Sequence, residues 1–122
     1  MHDDKALGLF HEILKQTRAK SLGWQPTAET DKFIAPMLGK YTMILLPYTY
    51  EDQWGEQRGA PALILQDENS NTLVKIDTTL EGVRQEDLDE LLFSARRVAL
   101  NVDEKIDELL HELQKGGNDL PF

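Results

Sequence analysis

Residues 40 to 50 read Lys-Tyr-Thr-Met-Ile-Leu-Leu-Pro-Tyr-Thr-Tyr, a run dominated by β-branched, aromatic and aliphatic side chains that favours an extended strand. Successive side chains of a strand point to opposite faces. Thr42, Ile44, Leu46, Tyr48 and Tyr50 therefore share one face, and Tyr41, Met43, Leu45, Pro47 and Thr49 share the other. Both faces carry apolar groups, so a sheet covered on one side only leaves an apolar row exposed. Contiguous exposed apolar surface marks a partner or ligand site.

Working outward from this strand, a second β-like run spans Glu29 to Ala35, and Pro36-Met37-Leu38-Gly39 reads as the turn of a hairpin. Downstream, Ala60 to Gln66 and Thr72 to Asp77 flank the small polar cluster Asp67 to Asn71, which predicts a second hairpin. Between the two hairpins lies Glu51 to Gly59, polar except for Trp54, and expected to be a mobile connection.

Helical spacing brackets the strands. Ala6, Phe10, Ile13, Leu14 and Thr17 form one amphipathic stripe, with Asp3 or Asp4 as cap and a stop near Ser21 to Gly23. Trp24 occupies the following corner. From Gln85 onward, Leu88, Ala95, Val102 and Leu109 recur seven apart, beside Leu92, Ala99, Ile106 and Leu113. These rows predict a long core-facing helix. Asn101 and Asp103 are both good caps, but the rows stay in phase across them, favouring a mild kink over a break. Gly116-Gly117 closes the helix, and residues 115 to 122 form a tail. The expected architecture is one α+β domain over residues 1 to 122. It has an N-terminal helix, a four-stranded antiparallel sheet of two hairpins and a long or kinked C-terminal helix, in two layers.

Composition excludes more than it names. Thirteen Lys plus Arg against 22 Asp plus Glu give a net charge of −9 with no basic run. Nucleic-acid binders need clustered cations, so nucleic acid is not expected as a partner. The same charge repels anionic lipid, and the longest apolar run, Met43 to Pro47, is far shorter than the roughly 20 residues of a membrane span. No cysteine is present, so neither a disulfide framework nor a thiolate site arises. Met-His-Asp-Asp-Lys at the start lacks the features of a secretory signal, and a cytoplasmic location is expected.

Chemical motifs are equally sparse. Asp67-x-Asn69-x-Asn71 opens like a calcium loop, but Thr72 stands where Gly is needed and Thr78 where a bidentate Glu is needed. His2, His11 and His111 are scattered, and no H-E-x-x-H spacing occurs. Neither a metal nor another cofactor is expected. Glu86 to Glu90 and Asp103 to Glu112 are rich in carboxylates, which read as solvated helix faces rather than as acid-base pairs. No nucleophile elbow, P-loop or dinucleotide fingerprint is present. Arg96 and Arg97 form the basic pair of the acidic C-terminal half. They serve either an intramolecular carboxylate such as Asp89, Glu90 or Glu104, or as an anchor for a partner's carboxylate. Trp54, near Tyr48 and Tyr50, either caps the core or forms a partner contact, the first being favoured because an isolated exposed Trp is costly.

Leu22-Gly23-Trp24, Thr27, Phe33-Ile34-Ala35, Tyr41, Phe93-x-Ala95-Arg96-Arg97-x-Ala99 and Val102-Asp103-x-x-Ile106-Asp107-x-Leu109-Leu110 resemble a family of small bacterial proteins of uncharacterised function. That resemblance implies a Trp corner, a sheet and a final Ala-Arg-Arg helix, and brings no catalytic residue with it. In outline the chain is also similar to the small acidic effector chaperones of type III secretion, which are homodimeric α+β proteins. It departs from them where they carry a helix between the third and fourth strands, having only Asp67 to Asn71 there.

A non-enzymatic protein-interaction module, homodimeric, is the function expected, with Trp54, Tyr48, Tyr50, Arg96 and Arg97 as partner-binding residues. An effector chaperone and a small-molecule-binding protein or enzyme with an unrecognised pocket are the alternatives.

Overall fold

A computed structural model describes residues 2–51 and 53–115. The elements run α1 (His2–Arg18), β1 (Gln25–Pro26), β2 (Phe33–Met37), β3 (Tyr41–Glu51), β4 (Gln57–Gln66), β5 (Thr72–Ile76), α2 (Gln85–Ala99) and α3 (Val102–Lys115). The five strands form an antiparallel meander in the order β1-β2-β3-β4-β5. The α+β class with an N-terminal helix and an antiparallel sheet is as the sequence predicts. Several expectations need correction.

First, the sheet has five strands, not four: Gln25 and Pro26 pair with Ile34 and Phe33 as a two-residue edge. Pro26 does hold Gln25 extended, but a pair of residues is too short to show an alternating pattern. Second, the hairpins are not separated by a long connection. β3 and β4 pair without interruption from Thr42↔Gln66 to Glu51↔Gln57, so Glu51 and Gln57 to Gly59 belong to strands and the connection shrinks to the residues between Glu51 and Gln57. Charge and glycine at the end of a hairpin do not prevent pairing when the neighbouring residues hold the register. Third, the C-terminal helix is broken. Asn101 adopts φ +51°, a left-handed conformation that Asn tolerates and that ends a helix. Leu100 N–H still donates to Arg96 O and Asn101 N–H to Val98 O, closing α2 before α3 begins. The N-terminal helix also starts earlier than expected, at His2, so Asp3 and Asp4 lie in its first turn and not at its cap. It ends at Arg18, with Lys20 in the left-handed position.

The core lies on one face of the sheet. Phe33, Leu45, Leu63 and Ile76 form one buried row across β2 to β5, and Ala35 and Met43 begin the next. Against them pack Ala6, Phe10, Ile13 and Leu14 of α1, and Leu88, Leu91 and Ala95 of α2. The α1 stripe is the one its spacing predicts, Thr17 included. Trp24 closes the corner, where its indole Nε1–H donates to Thr17 Oγ1 at 3.0 Å and Thr17 Oγ1–H donates to Ile13 O at 2.7 Å. Both buried polar groups are thereby satisfied.

Prolines shape the free edges. Pro47 faces Pro61 directly across β3 and β4, at a level beyond the last pairs of β2 and β5. Two opposed residues without N–H groups suit a position where neither N–H would point into the ladder. The outer edges of the hairpin thus lack donors there and resist pairing with another strand. Lys75 on the edge strand β5 acts in the same sense.

Candidate interaction surface

Two apolar surfaces lie outside the core, and they differ in exposure. On the uncovered sheet face, Ile34, Ile44 and Ile64 stand level across β2, β3 and β4, with Leu46 beside them. All four are half-buried, and Ala62 between them is buried. Neighbouring β-branched side chains shield one another, so the face shows less apolar surface than its sequence suggests.

The second surface is α3. None of its residues is buried. Ile106 is 43%, Leu109 63%, Leu110 48% and Leu113 44% exposed. Their spacings of three, four and seven put them on one side of the helix. The sequence rows that lead into them are buried upstream, at Leu88 and Ala95, and become exposed after Asn101. The expectation of a core-facing stripe through Leu113 is therefore corrected: the left-handed turn at Asn101 releases the chain from the sheet, and α3 meets mainly α2.

Charge holds this junction. Asp103, in the first turn of α3, accepts hydrogen bonds from Lys20 Nζ beyond α1 and from Arg97 Nη2 of α2, so one carboxylate ties three segments together. The bond from Lys20 and then that from Arg97 hold the Asp103 carboxyl below the usual carboxylate range. Arg97 also lies 5.6 Å over the ring of Phe93, itself 61% exposed. Arg96 Nη1 sits 3.2 Å from Asp31 Oδ1, before β2. Arg18 makes a two-pronged bond to Glu90, with Nη2 to Oε1 at 2.8 Å, joining α1 to α2 and lowering the Glu90 pKa. The sequence pointed to an intramolecular carboxylate for one arginine of the 96–97 pair. Both have one, Asp31 for Arg96 and Asp103 for Arg97. Nothing local signals such partners, since they come from other elements.

Trp54 stands in the β3–β4 turn and is 73% exposed, so it does not cap the core. Tyr48 and Tyr50 are placed in β3 opposite Ala60 and Arg58, and their side chains lie outside the described residues. The structure therefore does not bring Trp54 and the two arginines into one described cluster. Asp67 takes hydrogen bonds from the N–H groups of Asn69 and Asn71, each at 2.9 Å, and from Asn71 Nδ2 at 3.1 Å. Those bonds, the Asn71 backbone one foremost, lower its pKa, and its oxygens serve the turn. Among the described residues no group of three or more His, Cys, Asp or Glu side chains is arranged to hold a metal, and no helix is long and apolar enough to cross a membrane. Lys115, the first residue of the expected tail, is the last of α3, and residues 116–122 with the Gly116-Gly117 stop lie outside the described residues.

A surface groove of about 190 Å³ borders the junction, lined by Lys20, Arg97, Val98, Asn101, Asp103 and Glu104. Its two cations are already engaged by Asp103, and it falls below the roughly 300 Å³ at which small-molecule sites begin. Comparison of the chain with protein-family models, with curated proteins and with solved structures finds no match in any of the three.

Proposed function

We propose that the chain is a protein-interaction module and that α3 is its docking element. One observation carries this: a fourteen-residue helix with a continuous aliphatic face has no buried residue, and Ile106, Leu109, Leu110 and Leu113 are all exposed. An isolated helix of that length is marginal in water, and a seam of Ile106, Leu109 and Leu113 gains most when something covers it. Asp103 supports the same reading, because its bonds to Lys20 and Arg97 fix where α3 leaves the body. The exposed Phe93, beneath the Arg97 guanidinium that bonds Asp103, adds apolar surface beside this junction.

The test is co-purification from the native host of the wild-type chain and of an Ile106→Asp/Leu109→Asp variant, with the melting temperature of each. The expected outcome is an unchanged melting temperature and loss of associated protein, by about 2 kcal/mol or more of binding energy if the seam is a hot spot. A melting temperature lowered by many degrees would place these side chains in the chain's own core instead. The effector-chaperone alternative is separated by the identity of what co-purifies, a secreted substrate or not.

A further inference from the structure

We infer that the occupant of the α3 face is a second copy of this chain, whose α3 lies antiparallel to the first. This rests on α3 being a docking helix and names what docks. Val102, Ile106, Leu109 and Leu113 are spaced four, three and four residues apart, the alternation of fours and threes that a heptad seam shows. Laid antiparallel, two such seams bring Ile106 level with the partner's Leu109, and Val102 level with the partner's Leu113.

The flanking charges choose the direction. Lys105 and Glu112 each precede a seam residue by one position, so they line the same flank of the helix. In an antiparallel pair like flanks meet, and Lys105 comes opposite the partner's Glu112, twice by symmetry. In a parallel pair this flank meets the one carrying Asp103 and Leu110, so Lys105 faces the partner's Leu110 and no opposite charge. The wider charge distribution agrees. Residues 103 to 108 hold Asp103, Glu104, Asp107 and Glu108 against Lys105 alone, whereas 109 to 115 hold Glu112 and Lys115. Antiparallel packing keeps the two acidic halves apart. Among the described residues, Asp103 is the one α3 side chain in an ion pair within its own chain, so Lys105 and Glu112 enter the interface unengaged. A helix about 21 Å long offers a small interface, and association in the micromolar range is expected.

Sedimentation across micromolar concentrations reads the result. The wild-type chain is expected to pass from monomer to dimer, Lys105→Glu to raise the dissociation constant about tenfold or more, and Lys105→Glu/Glu112→Lys to restore it. The absence of native cysteine allows a direct check of direction. Chains carrying Val102→Cys mixed with chains carrying Leu113→Cys should oxidise to a cross-linked dimer, whereas Leu113→Cys alone should not. Ready cross-linking of Leu113→Cys alone overturns the antiparallel arrangement. Dimerisation indifferent to the charge swap overturns α3 as the seam, moving the contact elsewhere, for instance to the Ile34-Ile44-Ile64 face. A monomer at every concentration overturns self-pairing while leaving α3 open to an unlike partner. A fall in melting temperature on Ile106→Asp/Leu109→Asp in the monomer overturns the docking reading itself.

Discussion

α2 and α3 are consecutive helices of fifteen and fourteen residues, both acidic in the first turn, basic in the last and apolar along one side. They differ in what lies beneath them. α2 is laid across β1, β2 and β4 and against α1, and it fully buries Leu88, Leu91 and Ala95. α3 begins after the left-handed Asn101 and has no buried residue. An apolar stripe dictates that a helix will seek a surface; which surface it finds depends on where the preceding turn sends it. At Asn101 that turn directs the same heptad rows from the core to solvent.

The contrast breaks most easily at α2. Leu91→Ala removes a fully buried side chain beneath the helix and should cost about 2–5 kcal/mol in denaturant unfolding; a loss below about 1 kcal/mol would mean that α2 is not the core helix. Next comes the entry to α2. Gly82 has φ +93°, and a Cβ there would stand 2.9 Å from Leu7 Cδ2 of α1. Gly82→Ala should cost about 1–3 kcal/mol through backbone strain and crowding. An unchanged melting temperature would show that this turn does not position α2 against α1. At α3 the same kind of change should do far less. Leu109→Ala, measured on the monomer at high dilution, should stay within about 0.5 kcal/mol of wild type.

The smallest effect is that of pH on the junction between the two helices. Lys20 and Arg97 lower the Asp103 pKa on folding, so their contribution is complete above the unfolded carboxylate value of about 4. It disappears as pH falls through the lower folded value. Glu90, held by Arg18, behaves alike. Both sites are exposed and screened by salt. Acidification below about pH 4 should therefore loosen α3 before it unfolds the body. Amide exchange on α3 that accelerates no sooner than that on α2 would show that Asp103 does not hold the junction.

Much of this fold was legible because it follows from local patterns. The α1 stripe, the two-faced β3 and the Asp67 turn each depend on residues within a few positions of one another. The two-residue β1 was not legible, as it has no pattern of its own and exists by pairing with β2. The break at Asn101 is not legible in the apolar rows, because in-phase rows test helical spacing and not helical continuity. The capping character of Asn101 and Asp103 is the local signal of that break. Of the surface residues, Trp54 was noticed as an aromatic in a polar segment, but its exposure depends on the length of the β3–β4 hairpin. The pairs Lys20–Asp103 and Arg96–Asp31 join residues dozens of positions apart, and Arg97 meets Asp103 six residues on only because the chain turns at Asn101, which no spacing rule reports.

Hydrogen exchange of the α2 and α3 amides, followed as a function of protein concentration, addresses the status of α3 most directly. At high dilution α3 should exchange far faster than α2, and its protection should rise with concentration into the micromolar range while that of α2 stays constant. Protection of α3 equal to that of α2 at the lowest concentration, and unchanged at the highest, would contradict the assignment of α3 as an uncovered docking helix.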